Sequence, residues 1–199
     1  MPNYCYFCAW RFTKKHITMN RQITIKLITA LSIILSIGGC GKWQRDDELT
    51  LVKTPYVGKE LRTDGYYYLM NSQNNTFIDT YFFYKDGTTL SCGGTPEGEP
   101  PFGFIEELLN DTSFNNSIKK TKAGWGVFKI KDNTIAFERW YAREGGLPTG
   151  HSEGSVLNDT TFQITSLTRV KTGEVHDKND LYHFHAFSPK PDSTNIFVP

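Results

Sequence analysis

The chain has 199 residues, of which 38% are hydrophobic and 22% are charged. This length suits one domain, and this composition excludes both an intrinsically disordered chain and a bundle of membrane helices. Residues 1–39 carry five basic residues and no acidic one, whereas residues 40–199 carry 17 basic and 21 acidic residues. Because phosphate binding needs a basic surface, we expect no nucleic-acid partner for the acidic part of the chain.

The first 39 residues have the pattern of a removable targeting segment. A second methionine, Met19, is followed by basic residues and then by 13 apolar or small residues, Leu27–Gly39. A membrane-spanning helix needs about 20 residues, so this run fits the shorter core of a signal peptide. We therefore expect a signal peptide over residues 19–39 and interpret residues 1–18 as an upstream extension from a wrongly assigned start.

The end of this segment carries a specific motif, because Ile37, Gly38 and Gly39 precede Cys40. The motif resembles the lipobox of bacterial lipoproteins, in which an aliphatic residue and two small residues precede a cysteine. In that family the thiol receives a diacylglyceryl group, the peptide is cut before the cysteine, and the new N-terminus is acylated, for example with palmitate. The resemblance implies that Cys40 is a lipidated N-terminus held to a membrane by its acyl chains. The alternative is an ordinary secretory signal in which a cysteine falls here by chance.

The residues after Cys40 bear on which membrane holds the protein. Gly41 stands where aspartate would retain an enterobacterial lipoprotein at the inner membrane, so the resemblance favours the outer membrane of a Gram-negative cell. The run Gln44–Glu48 resembles the surface-export signal of Bacteroidota lipoproteins, and a solvated charged tether is the alternative. We expect residues 40–60 to be a lipidated N-terminus followed by a flexible tether.

Residues 61–199 are expected to form one β-rich domain. Short segments rich in aromatic and β-branched residues alternate with polar turns such as Asp86-Gly87 and Asp132-Asn133. Tight turns impose an antiparallel return, so consecutive strands should pair and the last should close against the first. The eight expected strands are Tyr66–Met70, Phe77–Tyr84, Thr88–Ser91, Gly124–Ile130, Thr134–Tyr141, His151–Leu157, Thr161–Leu167 and Leu181–Phe187.

One helix is expected between strands three and four, at Phe102–Asn110. Its apolar residues, Phe102, Ile105, Leu108 and Leu109, recur at helical spacing. We expect this helix to dock over one end of the barrel and to bury that face.

The fold class predicted is therefore mainly β, an eight-stranded antiparallel up-and-down barrel, with a sandwich containing one crossover as the alternative. The order of a Gly65-Tyr66 start, an Asp86-Gly87 hairpin, a Gly124-Trp125 strand and a final aromatic strand resembles the lipocalin-like lipoproteins of Bacteroidota. The resemblance implies a barrel that is either filled by side chains or holds one small ligand.

Aromatic side chains are the candidates for a ligand site. They could line a pocket for a small hydrophobic ligand, or they could simply form the core. A cavity of about 300 Å³ or more would favour ligand binding, and a filled interior would favour a structural or adhesive module. The candidates are Tyr67, Phe83, Trp125, Trp140 and Tyr141.

His183 and His185 lie two residues apart, so both imidazoles share one face of a strand and could chelate a metal. The alternative is a polar outer face with both histidines in solvent, and we expect no bound metal and no cofactor. Cys92 could act as a nucleophile with a histidine as base, or be a small apolar residue. The sequence therefore favours a non-enzymatic envelope lipoprotein that binds a small hydrophobic ligand or an envelope protein. A metal- or thiol-dependent envelope enzyme is the alternative.

Overall fold

The computed structural model describes residues 46–70, 77–94, 101–143 and 146–198. Eight strands form a closed antiparallel barrel in which each strand pairs with the next along the chain. The last strand pairs with the first, from Gly65 opposite Ala186 to Tyr68 opposite His183, which confirms the predicted order and closure. The strands are β1 (Gly65–Met70), β2 (Ile78–Phe83), β3 (Thr88–Gly94), β4 (Trp125–Lys131), β5 (Thr134–Trp140), β6 (Thr149–Asn158), β7 (Thr161–Arg169) and β8 (Val175–Ala186).

Two helices, rather than the single one predicted, lie between β3 and β4. They are α1 (Pro101–Asn110) and α2 (Thr112–Ile118). Asp111 separates them, and its carboxylate accepts a hydrogen bond of 2.7 Å from the backbone N–H of Ser113, which caps α2. In the part of the chain that the structure describes, no helix has the length and apolar character needed to cross a membrane.

The barrel interior is an aromatic core. Side chains alternate across each strand, and the inward set packs together along most of the barrel. The rings of Phe162 and Tyr182 stack with centroids 4.8 Å apart, and those of Phe83 and Phe128 also lie 4.8 Å apart. Side chains thus fill most of the interior. The largest members are Tyr67, Tyr81, Phe83, Phe128, Phe137, Phe162 and Tyr182.

A second apolar cluster lies on the outer face of β1 to β5, and α1 covers it. Ile105 and Leu109 are buried in this cluster, whereas Phe102 and Leu108 are half-buried. The prediction that the helix lies over one end of the barrel is therefore wrong. Its apolar face packs beside the barrel because outward positions such as Tyr66 are themselves apolar and need cover.

The two ends of the barrel differ. At one end lie the β2–β3, β4–β5 and β6–β7 turns, and there Tyr56 and Leu61 pack against the aromatic core. The hydroxyl of Tyr67 donates to the carbonyl oxygen of Asp159 (2.5 Å) and accepts from the backbone N–H of Arg62 (2.9 Å), which fastens this closed end. The opposite end, with the β1–β2, β3–β4, β5–β6 and β7–β8 connections, is called the open end below.

The segment expected to be a flexible tether lies against the barrel wherever it is described. Residues 46–60 contain no helix and no strand, as their polar pattern indicated. Hydrogen bonds nevertheless hold these residues on the barrel. The indole Nε1–H of Trp140 donates to the carbonyl oxygen of Asp47 (2.6 Å), and the backbone N–H of Tyr56 donates to the carbonyl oxygen of Lys85 (2.8 Å). The described part of this segment is therefore a component of the folded domain.

Candidate binding site at the open end

A small cavity remains inside the barrel near the open end. Its volume is about 90 Å³, room for roughly three water molecules at the ~30 Å³ each occupies in liquid water. Sites for drug-sized ligands are several times larger, at about 300–1,000 Å³. The lining residues are Asp79, Tyr81, Phe137, Arg139, Ser152, Ile164, Leu167, Lys178, Asp180 and Tyr182.

Two opposite charges, Asp79 of β2 and Arg139 of β5, point into this cavity. Both lie inside the barrel and both remain partly accessible to solvent. Asp79 accepts hydrogen bonds from the hydroxyls of Tyr182 (2.9 Å) and Ser91 (3.3 Å) rather than bonding Arg139 directly. Each carboxylate oxygen of Asp79 therefore already has a protein donor.

The guanidinium of Arg139 is only partly used by the protein. Its Nε–H donates to the hydroxyl of Tyr81 at 2.9 Å, and among the described residues no acceptor lies within hydrogen-bonding distance of its two Nη groups. Guanidinium groups carry five N–H donors in a planar fork, so four of them have no acceptor among the described residues.

The tyrosines of the cavity are donors at neutral pH. Burial raises the pKa of Tyr81 to about 12 and raises that of Tyr182 well above its ordinary value. The Tyr81 oxygen accepts from Arg139, so the proton of the Tyr81 hydroxyl is not used in that bond. Burial also raises the pKa of Asp79, and the nearby charge of Arg139 opposes that rise.

A further ion pair flanks the site. Lys178 and Asp180 of β8 lie 3.5 Å apart, and both side chains remain partly exposed. The site thus combines two interior charges with two outer charges, and the four formal charges cancel.

The five aromatic candidates do not converge on one pocket. Tyr67 and Phe83 belong to the inward core, whereas Trp125 and Trp140 belong to the outer cluster. Tyr141 is half-buried and follows β5. The strand alternation separates them, because Trp125 and Trp140 occupy outward positions.

The histidine pair points away from the barrel interior, and its two members differ in exposure. His183 is exposed, whereas His185 lies beneath α1, with its Nε2 3.0 Å from Oε1 of Glu106 and its ring stacked 5.0 Å from that of Phe102. Both histidines therefore lie on the outer face of the barrel, and the side chain of His185 remains 38% exposed. The described residues contain no group of three His, Cys, Asp or Glu side chains placed to hold a metal ion.

Cys92 lies on the outward side of β3, partly buried against the outer cluster. Burial raises the pKa of its thiol to about 12, so the thiol stays protonated and is a poor nucleophile at neutral pH. The strand register places Cys92 opposite Thr80, Thr80 opposite Tyr68 and Tyr68 opposite His183. At about 4.8 Å per strand, the path along the curved sheet from the cysteine to that histidine is roughly 14 Å.

The lipidation candidate, Cys40, lies outside the described residues. Comparison with protein-family models, curated protein sequences and solved structures gave no significant match. The geometry of the cavity therefore carries what can be inferred about binding, and the sequence motif around Cys40 carries what can be inferred about a membrane anchor.

Proposed function

We propose that this chain is a lipid-anchored cell-envelope protein whose barrel binds a small anion at its open end and catalyses no reaction. The guanidinium of Arg139 carries the proposal, because it lies inside the barrel, lines a cavity and has donors without a described protein acceptor. The lipobox-like residues before Cys40 support the lipid anchor, and Gly41 favours the outer membrane.

The chemistry of the cavity selects a small oxyanion such as a short carboxylate. Two oxygens of a carboxylate can accept two parallel N–H bonds from an arginine, and the Tyr81 hydroxyl can donate a third. Asp79 does not take this place, since Tyr182 and Ser91 already bond it. The volume of about 90 Å³ restricts the ligand to a few non-hydrogen atoms.

A hydrophobic ligand inside the barrel fits this geometry poorly, since the aromatic side chains expected to line its pocket form the two apolar clusters instead. A filled interior also suits a structural or adhesive module, but such a core needs no enclosed charges. Replacing buried ion pairs by apolar residues is often neutral or stabilising, so the charges at the open end favour binding. The separation of Cys92 from His183 argues against the thiol-dependent enzyme.

The binding proposal is tested by titrating the purified protein with sodium acetate at constant ionic strength, followed by calorimetry and thermal unfolding. At ten times the dissociation constant, acetate should stabilise the fold by about 1.4 kcal/mol, or about 3–5 °C in Tm. Arg139→Gln should abolish the shift. Arg143→Gln, which changes an exposed arginine after β5, is the matched control and should keep it. No shift with acetate or formate in the wild-type protein would refute anion binding.

The anchor is tested separately. Cells grown with an alkyne-tagged palmitate should label the wild-type protein, and Cys40→Ala should abolish both the label and the membrane association. A native N-terminus at Met1, or an unmodified Cys40 in the mass spectrum, would refute the lipoprotein assignment.

A further inference from the structure

The first described residues are fixed at the open end of the barrel. The backbone N–H of Asp47 donates to the carbonyl oxygen of Leu147 (3.0 Å), and the N–H of Leu147 donates to Oδ1 of Asp46 (3.2 Å). Lys122 forms an ion pair with Asp46 at 3.3 Å, and Lys171 forms one with Asp47 at 3.3 Å. The three partners come from the connections before β4, before β6 and before β8, all at the open end.

Thr50 and Leu51 strengthen this attachment through hydrogen bonds to Glu138 of β5. The carboxylate of Glu138, which is fully buried, accepts hydrogen bonds from the backbone N–H groups of Thr50 (2.8 Å) and Leu51 (2.9 Å). It also accepts one from the Thr50 hydroxyl, at 2.9 Å. Charge-assisted bonds of this kind are about twice as strong as neutral ones, so the segment is held firmly on β5.

From this attachment we infer that the open end of the barrel faces the membrane, an inference that depends on the proposed lipidation of Cys40. Only six residues of chain lead from Cys40 to Asp46, and an extended chain spans at most about 3.6 Å per residue, so the reach is about 20 Å. The closed end is farther away, because β6 alone has ten residues, about 33 Å of strand, which spans about 25 Å along the barrel axis at a typical tilt of about 40°. The short connection thus keeps the open end beside the lipid surface and the hairpin turns away from it.

This orientation has a consequence for the cavity. Its ligand would arrive from the layer next to the membrane surface, where lipid headgroups and membrane-bound partners lie. Arg139, Lys178 and Asp180 would therefore be presented to the membrane side of the molecule.

The experiment measures the distance of each barrel end from lipid. The lipidated full-length protein, carrying Cys92→Ser, receives one fluorescent thiol label at Thr172→Cys in the β7–β8 turn or at Lys131→Cys, the last residue of β4 before the β4–β5 turn. Both positions are exposed, and they mark the open and closed ends. After reconstitution into phosphatidylcholine vesicles with nitroxide-labelled headgroups, the label at position 172 should be quenched at least threefold more than the label at position 131.

A second protein tests the short connection itself. Inserting 20 Gly and Ser residues after Gly41 adds about 25 Å of flexible reach, which should remove most of the quenching difference without touching the fold. Equal quenching at the two positions, or stronger quenching at position 131, in vesicle-bound protein would overturn the orientation and leave the lipoprotein proposal standing. Protein that stays off the vesicles and carries an unmodified Cys40 would overturn both.

Discussion

Removing the Glu138 carboxylate should release the N-terminal segment and weaken the whole domain. Glu138→Ala deletes three hydrogen bonds to a buried, charged acceptor and leaves the N–H groups of Thr50 and Leu51 without it. An unsatisfied buried group costs about 1–3 kcal/mol, and water should recover part of that loss here because Thr50 is exposed and Leu51 only half-buried. We expect Glu138→Ala to lower the free energy of unfolding by about 3–5 kcal/mol, a large share of a typical total of about 5–15 kcal/mol.

Urea denaturation followed by tryptophan fluorescence and circular dichroism measures this loss. Glu153→Ala is the matched control, because Glu153 lies on the neighbouring strand β6 with an exposed side chain, and its removal should cost less than about 0.5 kcal/mol. Thr50→Val should cost about 1–2 kcal/mol in the wild-type protein and almost nothing in the Glu138→Ala background, since its partner is already gone. Equal stabilities of Glu138→Ala and Glu153→Ala, or full additivity with Thr50→Val, would refute the attachment.

Three further predictions concern pH and packing. Burial raises the pKa values of Tyr81 and Tyr182 above the ordinary 10. Above pH 10 the unfolded chain therefore loses these protons before the folded chain does, and the free energy of unfolding should fall steeply. Tyrosinate absorbance at 295 nm should appear together with unfolding. Burial lowers the pKa of Lys190 to about 8, so its contribution has the opposite sign and should make stability rise between pH 8 and 10, an increase that Lys190→Met should remove. Ile105→Ala should cost about 2–5 kcal/mol in urea denaturation because Ile105 is fully buried, whereas the same change at the half-buried Leu108 should cost less than half as much.

The order of the strands could be predicted because the chain marks its hairpins locally. Asp132 and Asn133 both adopt positive φ, the conformation that a two-residue hairpin turn requires and that these residue types tolerate. The start of β8 could not be predicted in this way. Residues 176–180 are polar, yet they belong to β8, which pairs with β7 from Val175 opposite Thr168 onwards. Near the end of a barrel both faces of a strand are exposed to water, so polar residues are tolerated on both. Backbone pairing therefore continues after the alternation of apolar and polar residues has stopped.

The candidate site could not be predicted because the charge of Arg139 and the alternation of side chains along β5 indicate opposite sides of the barrel wall. Adjacent charges such as Glu138 and Arg139 are typical of a solvated face, so their charge alone indicates that both lie outside the barrel. The alternation of side chains along β5 places Arg139 on the same side as Ile135 and Phe137, which is the inside of the barrel. The partner of Glu138 could not have been identified, because Thr50 lies 88 residues earlier in a segment without any periodic pattern.

Whether the enclosed charges serve binding or stability can be decided by replacing them together. Arg139→Met leaves Asp79 without its compensating charge and should cost about 2–4 kcal/mol, somewhat less than for a fully buried pair because both groups retain some solvent access. Asp79→Asn combined with Arg139→Met should restore most of that loss, since an amide can still accept from Tyr182 and a methionine can fill the space of the arginine stem.

The coupling between the two substitutions, measured by urea denaturation, should therefore be about 1–3 kcal/mol. The exposed pair Lys178 and Asp180, replaced by Met and Asn, is the control and should couple by less than about 0.5 kcal/mol. If the double variant of the interior pair is as stable as the wild type but no longer responds to acetate, the charges are retained for the ligand. If the stability losses of the two single variants add in the double variant, the pair is part of the framework of the barrel, and the proposal that Arg139 binds an anion is wrong.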